Sequence, residues 1–230
     1  MKFFVSLFIL MGIGLVMTAG CKKDDDNNPR DETGPVTDSD GNVYNTLKIG
    51  SQIWMAENLK TTKYNDGTDI PFVTENDGWA NLTSAAYTWY TNSQEDYGNT
   101  FGALYNGYAI ASGKLCPEGW HVPTDGEWKI LTDFIGGEQV AGGKLKEPGT
   151  DYWLSPNAEA TNETGFTALP GGFRENGSFN FIRRHGYWWT STEASAYTSW
   201  SRELKYDTGE MKRFGRSKKS GLSVRCIKDK

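Results

Sequence analysis

The chain is poor in cysteine, histidine and proline, with three, two and eight of them among 230 residues. The two histidines stand in no HxxxH spacing and no GxSxG segment occurs, so neither a zinc protease pattern nor a nucleophile elbow is present. No apolar run reaches the roughly 20 residues a membrane-spanning helix needs. No basic block or stripe appears either, and the formal net charge is −5. That balance argues against nucleic acid as a partner. No internal repeat is evident. Non-catalytic, single-domain readings are favoured from the start.

The apolar run that does exist, Phe3 to Met17, follows Lys2 and suits the h-region of a secretory signal peptide. Ala19-Gly20-Cys21 then resembles a bacterial lipobox, with Thr18 where an aliphatic residue is more usual. The expectation is a signal peptide over 1–20 and lipidation at Cys21. The alternative is an ordinary cleaved signal that leaves Cys21 as a spare thiol. Lys22-Lys23-Asp24-Asp25-Asp26-Asn27-Asn28 follows, charged and free of apolar residues, and reads as part of a tether over 21–36. Lysine followed by aspartates resembles the surface-export signal of Bacteroidota-type lipoproteins. The predicted location is therefore the outer membrane, lipid-anchored and facing outward. Removing residues 1–20 removes one base, Lys2, and no acid, so the mature chain is more acidic still.

Residues 37–230 are enough for one sizeable domain, and all nine tryptophans lie there. Such a number belongs either to a heavily aromatic core or to a surface that stacks on sugars. Cys116 and Cys226 are the other two cysteines. In an exported protein they are expected to pair, the alternative being two buried free thiols.

The densest stretch is Leu115 to Trp128, LCPEGWHVPTDGEW. Thr124 and Glu127 have the spacing of a capping box, and Asp125 adds a negative charge where the helix dipole favours it. Trp128, Leu131 and Ile135 recur on one face, and Gly136-Gly137 supplies a stop, which predicts a helix over 125–135. Pro117-Glu118-Gly119 reads as a turn. A β-hairpin is predicted upstream, with Val43, Leu47 and Ile49 on one face, a turn at Gly50-Ser51 and a return over Gln52–Met55. Asp38-Ser39-Asp40-Gly41-Asn42 invites a calcium reading. It places Val43 where that loop requires glycine and Ile49 where it requires glutamate, so turn chemistry is the better account. Acidic loop residues Asp151, Glu159 and Glu163 could serve calcium, although no spacing demands it; no cofactor is expected, with calcium left open.

Gln139–Lys146 reads as a second helix. Glu147–Asn180 is rich in Gly, Pro, Asn and Thr, and a loop region this long inside a compact domain is usually functional. Tyr187–Thr190 reads as a strand. Trp200, Arg202, Leu204 and Tyr206 alternate with Ser201, Glu203 and Lys205, as in a strand with one packed face. Asp207–Glu210 turns the chain, Met211–Phe214 returns, and Leu222, Val224 and Cys226 form the last strand.

Several long segments carry a resemblance. They are DSDGNVYNTLKIGSQIWMAENL at 38–59, YGNTFGALYNGYA at 97–109, LCPEGWHVPTDGEWKIL at 115–131, AGGKLKE at 141–147, TNETGFTALPGGFR at 161–174, GYWWTSTE at 186–193 and SGLSVRCIKD at 220–229. Together they resemble the Fibrobacter succinogenes major paralogous domain. One departure is Gly107, where the family motif suggests tryptophan. That family is similar to C-type-lectin-like and formylglycine-generating-enzyme-like domains. The resemblance implies an α+β fold of irregular antiparallel hairpins with two flanking helices and one long-range disulfide, consistent with Cys116 and Cys226.

The leading expectation is a non-catalytic surface module that binds an extracellular glycan or a surface protein. Its aromatic and polar candidates are Tyr152, Trp153, Arg174, Trp188, Trp189, Trp200 and Arg202. Alternate strand residues face opposite ways, so at most one of Trp188 and Trp189 is expected at a given surface. A structural or adhesin role is the second reading. A formylglycine-generating activity is the third, and it lacks a reactive cysteine pair if Cys116 and Cys226 are bridged.

Overall fold

The computed structural model describes residues 33–230. The leader, Cys21 and the start of the tether lie outside the described residues. In chain order, β1 (Val36–Thr37) and β2 (Val43–Tyr44) pair, and a hairpin of β3 (Thr46–Ile49) and β4 (Gln52–Met55) follows. A short helix α1 (Asn76–Ala80) precedes β5 (Tyr87–Thr88). A run of tight helical turns then ends in α2 (Asn99–Phe101), β6 (Leu104–Asn106) and α3 (Gly107–Ile110). The dense stretch supplies β7 (Trp120–His121) and α4 (Asp125–Phe134), and α5 (Glu138–Leu145) comes next. Beyond a long loop, β8 (Phe173–Glu175) and β9 (Ser178–Asn180) form a hairpin, and β10 (His185–Ser195), β11 (Thr198–Lys205) and β12 (Met211–Ser217) form a meander. Two short strands, β13 (Gly221–Leu222) and β14 (Ile227–Lys228), follow.

Every pairing between these strands is antiparallel, in sheets ordered β10-β11-β12, β5-β6-β13-β8-β9 and β3-β4-β14-β7 besides the β1-β2 pair. The fold mixes α and β, with few helices and short sheets. Cys116 and Cys226 form the expected disulfide.

The helix signal held because it is local. The Thr124 hydroxyl accepts from the Glu127 N–H, and the Glu127 carboxylate accepts from the Thr124 N–H, so both halves of the capping box form. The first hairpin is also as expected. Gly50 turns it with φ +61°, a region open to glycine. Val43 departs from expectation: it sits in β2, where it is 61% exposed, rather than on the packed face of the hairpin. The strand over 200–206 was expected to have one packed face. Instead β11 is the middle strand of its sheet, so Ser199, Ser201, Arg202, Glu203 and Leu204 are all buried. Leu222, Val224 and Cys226 do not make one strand. The segment leaves one sheet after Leu222 and enters another at Ile227, with Ser223 and Arg225 buried between.

Two hydrophobic clusters fill the interior. In one, the rings of Trp54, Trp128 and Phe166 meet pairwise at centroid distances of 4.9, 5.8 and 5.9 Å. Eight of the nine tryptophans are buried, so the tryptophan content is mainly a core property. At Gly107 a Cβ would stand 2.7 Å from the Lys218 Cα, so this chain has no room there for the tryptophan that the resemblance suggests unless the Lys218 segment moves.

Irregular backbone poses the main energetic problem, because its carbonyls lack ladder partners and cannot be buried bare. Three cations with 0% exposure solve it. Lys146 Nζ donates to the carbonyls of Ala158, Lys205 and Thr208 at 2.8–2.9 Å. Arg174 donates to the carbonyls of Val73, Thr74 and Gly177 while its guanidinium lies between the rings of Trp79 and Phe179. Arg225 donates to the carbonyls of Phe166 and Thr167 and to Asn58 Oδ1. Each cation replaces a missing stretch of sheet.

Candidate functional site

The first turn of α4 faces the β10-β11-β12 meander. Asp125 N–H donates to Thr192 Oγ1 of β10 at 3.0 Å. From β11, Arg202 donates to Asp125 Oδ1 at 2.7 Å and to the Asp125 carbonyl at 3.1 Å. From β12, Arg213 Nε donates to the same Oδ1 at 2.8 Å. Arg202 and Arg213 are directly opposite across the strand pair, so two like charges share one acid. Burial works against the Asp125 charge, but the hydrogen bonds from Arg213 and Arg202 outweigh it and hold the carboxyl below its usual range. The Arg213 guanidinium also stacks on Trp200, 3.2 Å from the ring centroid.

A pocket of about 320 Å³ opens here, lined by Asp125, Lys129, Thr132, Asp133, Glu138, Arg202 and Arg213. A trough of about 700 Å³ continues from it past Glu138 and Arg213, along Glu210 to Phe214. Both volumes suit a small ligand. Three acids face three bases in the pocket, so it carries no net charge. Its walls nevertheless present both strong donors and strong acceptors.

Of the sequence candidates, Trp200 and Arg202 come together here. The others do not. Trp153, Trp188 and Trp189 are buried, and their indole N–H groups donate to the Ala168 carbonyl, Asn58 Oδ1 and the Tyr105 carbonyl. Neither Trp188 nor Trp189 reaches a surface, because the sheet that carries them has core on both sides. Arg174 is spent on the loop carbonyls described above. Tyr152 is 38% exposed on a separate surface, edge-on to Phe101. Asp125 and Arg213 were missed as site residues. The hairpin reading carried no signal for Arg213: a turn confined to 207–210 would set Arg202 opposite Gly215, and it is the observed register, with Leu204 opposite Met211, that brings Arg213 opposite Arg202.

Two further titratable clusters are satisfied internally. Glu203 accepts from the Tyr187 hydroxyl at 2.7 Å and faces His185 Nδ1 at 2.9 Å, with Phe181 stacked on the imidazole. Burial raises the Glu203 carboxyl, but His185 and Tyr187 overcome it and hold it low. Burial, with Glu203, drives the Tyr187 hydroxyl far up. Asp38 is likewise engaged by its own loop. Its carboxylate accepts from the N–H groups of Asp40 and Asn42, the Asn42 amide and the Tyr44 hydroxyl. Among the described residues no group of three or more His, Cys, Asp or Glu side chains is arranged to hold a metal.

The last cluster is His121, with Nδ1 2.5 Å from Asp229 and Nε2 3.0 Å from Glu127. Both ring nitrogens face carboxylates, so the arrangement suits an imidazolium. Burial lowers its pKa, and the two carboxylates more than reverse that, leaving it raised. A raised folded pKa means stability present below the unfolded value and lost as pH climbs through the folded one. His121→Gln is therefore expected to lower the melting temperature most near about pH 6, with the gap from wild type narrowing by about pH 8. Paired thermal melts across that range check this, and a pH-independent gap would refute it.

The family described as the Fibrobacter succinogenes major domain matches residues 47–228, most of the chain, and the chain belongs to that family. No curated protein matches, and neither does any solved structure.

Proposed function

We propose that this Fibrobacter succinogenes major domain is a non-catalytic binding module, held at the outer surface of the outer membrane by a lipid on Cys21. Its pocket beside α4 takes a neutral carbohydrate. Charge balance in the pocket carries the reading. Sugar hydroxyls both donate and accept, so a neutral sugar is matched by carboxylates and guanidinium groups that cancel one another. Half-exposed Trp200 lies beside the pocket with Arg213 stacked on one face of its ring, and its uncovered part adds an aromatic surface at the pocket's edge. The short antiparallel sheets, the paired helices α4 and α5 and the long-range disulfide support a C-type-lectin-like fold. The apolar leader, Ala19-Gly20-Cys21 and the lysine-aspartate tether support the address. A catalytic role is disfavoured because both histidines are engaged by neighbouring carboxylates and the two domain cysteines are bridged.

The test is a glycan array, followed by calorimetry on the purified full chain with and without calcium. Trp200→Ala and Arg213→Ala are each expected to weaken binding about tenfold or more, a loss of roughly 1.4 kcal/mol, with the fold retained. Absence of any glycan ligand, or a ligand indifferent to both substitutions, would sink the proposal. A second reading, assembly into a larger surface complex, is favoured by the exposed apolar residues Ile130, Phe134 and Val140 on α4 and α5.

A further inference from the structure

β12 is the outer strand of its sheet, and among the described residues no strand pairs with its far edge. It runs seven residues, MKRFGRS, without proline, and Lys212 to Gly215 are exposed. An edge of this length offers alternate N–H and C=O groups to an incoming strand. A trough lies beside it, with Glu138 and Gln139 of α5 in its wall.

The side chains say what would fit. Lys212, Phe214 and Arg216 pair with Glu203, Ser201 and Ser199, which puts all three on one face of the strand. That face reads basic, aromatic, basic. A second copy is a poor occupant. Antiparallel self-pairing centred on Phe214 would set Lys212 opposite Arg216, and like charges directly opposed are destabilising. Arg216 is turned over the rings of Phe173 and Tyr187, and Lys212 reaches Glu210 at 3.2 Å from the surface, so the exposed pair at this edge is Lys212 and Phe214; a strand with an acid facing Lys212 and an apolar residue facing Phe214 complements both. We propose that the outer edge of β12 docks an extended peptide strand of a partner protein with an acidic residue facing Lys212 and an apolar residue two positions along facing Phe214, which joins the sheet as its fourth strand. Lys212 and Phe214 line the trough but not the pocket of Asp125, Arg202 and Arg213, so the docking edge adjoins the carbohydrate pocket without sharing these two side chains.

A capped synthetic peptide, Glu-Thr-Val-Thr-Glu, added to the purified full chain tests this by backbone amide hydrogen exchange. The expected result is new protection of alternate β12 amides, with Lys212→Glu weakening binding about fivefold. Lys212→Glu sets a carboxylate opposite buried Glu203 and beside Glu210, so its melting temperature is expected to fall; Lys212→Gln adds no like charge and is expected to melt with the wild type while weakening binding in the same direction, and both leave the pocket side chains in place. The basic analogue Lys-Thr-Val-Thr-Lys should give no protection. Polygalacturonate, an acidic polymer without peptide groups, should leave the β12 amides unprotected. Equal protection by the basic peptide, protection by the polysaccharide, or no protection by the acidic peptide would each overturn strand addition. None of these outcomes depends on whether a neutral glycan binds.

Discussion

Replacing Lys146 with methionine is expected to destabilise the domain by about 3–5 kcal/mol, which for a chain of this size lowers the melting temperature by on the order of 10 °C. The substitution keeps most of the hydrocarbon stem and removes only the ammonium. Three carbonyls, from Ala158, Lys205 and Thr208, then lose their donor together. A buried acceptor left bare costs about 1–3 kcal/mol, and some of that returns because a buried charge disappears as well. Burial pulls the Lys146 pKa down to about 8, while Glu159 and Asp207 pull the other way. The group therefore still carries its charge at neutral pH, with one acceptor for each proton. The carbonyls belong to the loop after α5, the end of β11 and the turn before β12, so the variant should loosen all three segments at once. Hydrogen exchange would show this as loss of protection around residues 158 and 205–209. A melting temperature within a degree or two of wild type would mean that water replaces the ammonium without penalty.

This arrangement explains what the sequence could and could not disclose. Thr124 and Glu127 announced α4 because a capping box is written within four consecutive residues. Gly50 announced the first hairpin for the same reason. The cysteine pair was legible by count, since only two remained in the domain. Lys146, Arg174 and Arg225 were not legible. Their acceptors are backbone carbonyls, which leave no trace in residue identity, and those of Arg174 at Val73 and Thr74 lie about a hundred residues away in the chain. Arg174 was accordingly taken for a ligand contact, when its chemistry is turned inward. The tryptophans misled in the same direction. An indole on a sheet can face a sugar or a second layer of core, and only the packing of β10 against both hydrophobic clusters decides that Trp188 and Trp189 are interior. Trp200 is only half-buried because it lies on β11 opposite Gly215, which has no side chain to cover it, and Arg213 of β12 stacks on its ring.

Cys116→Ser is expected to cost roughly 4–5 kcal/mol, because the bridge closes a sequence separation of 110 residues and that loop closure is lost from the unfolded chain. The native state should survive the loss at low temperature. Beyond the sulfur bridge, β7 and β14 pair through Ile227 with His121 and Lys228 with Trp120. The Asp229 N–H donates to the Gly119 carbonyl, and His121 reaches Asp229. The same two segments are thus joined several times over in the folded protein and only once in the unfolded chain, so the disulfide acts mainly on the unfolded ensemble. Two readouts separate this account from a structural collapse. Near-ultraviolet circular dichroism, dominated here by buried tryptophans, should be unchanged in the variant at low temperature, while thermal unfolding moves down by more than 10 °C. Affinity for the carbohydrate proposed as ligand, measured well below the new transition, should equal that of the wild type, because Asp125, Arg202 and Arg213 hold one another through contacts that do not pass through the sulfur atoms. A variant that binds weakly while still fully folded would show that the clamp also sets the position of α4 against the meander. In that case the site would depend on the bridge directly.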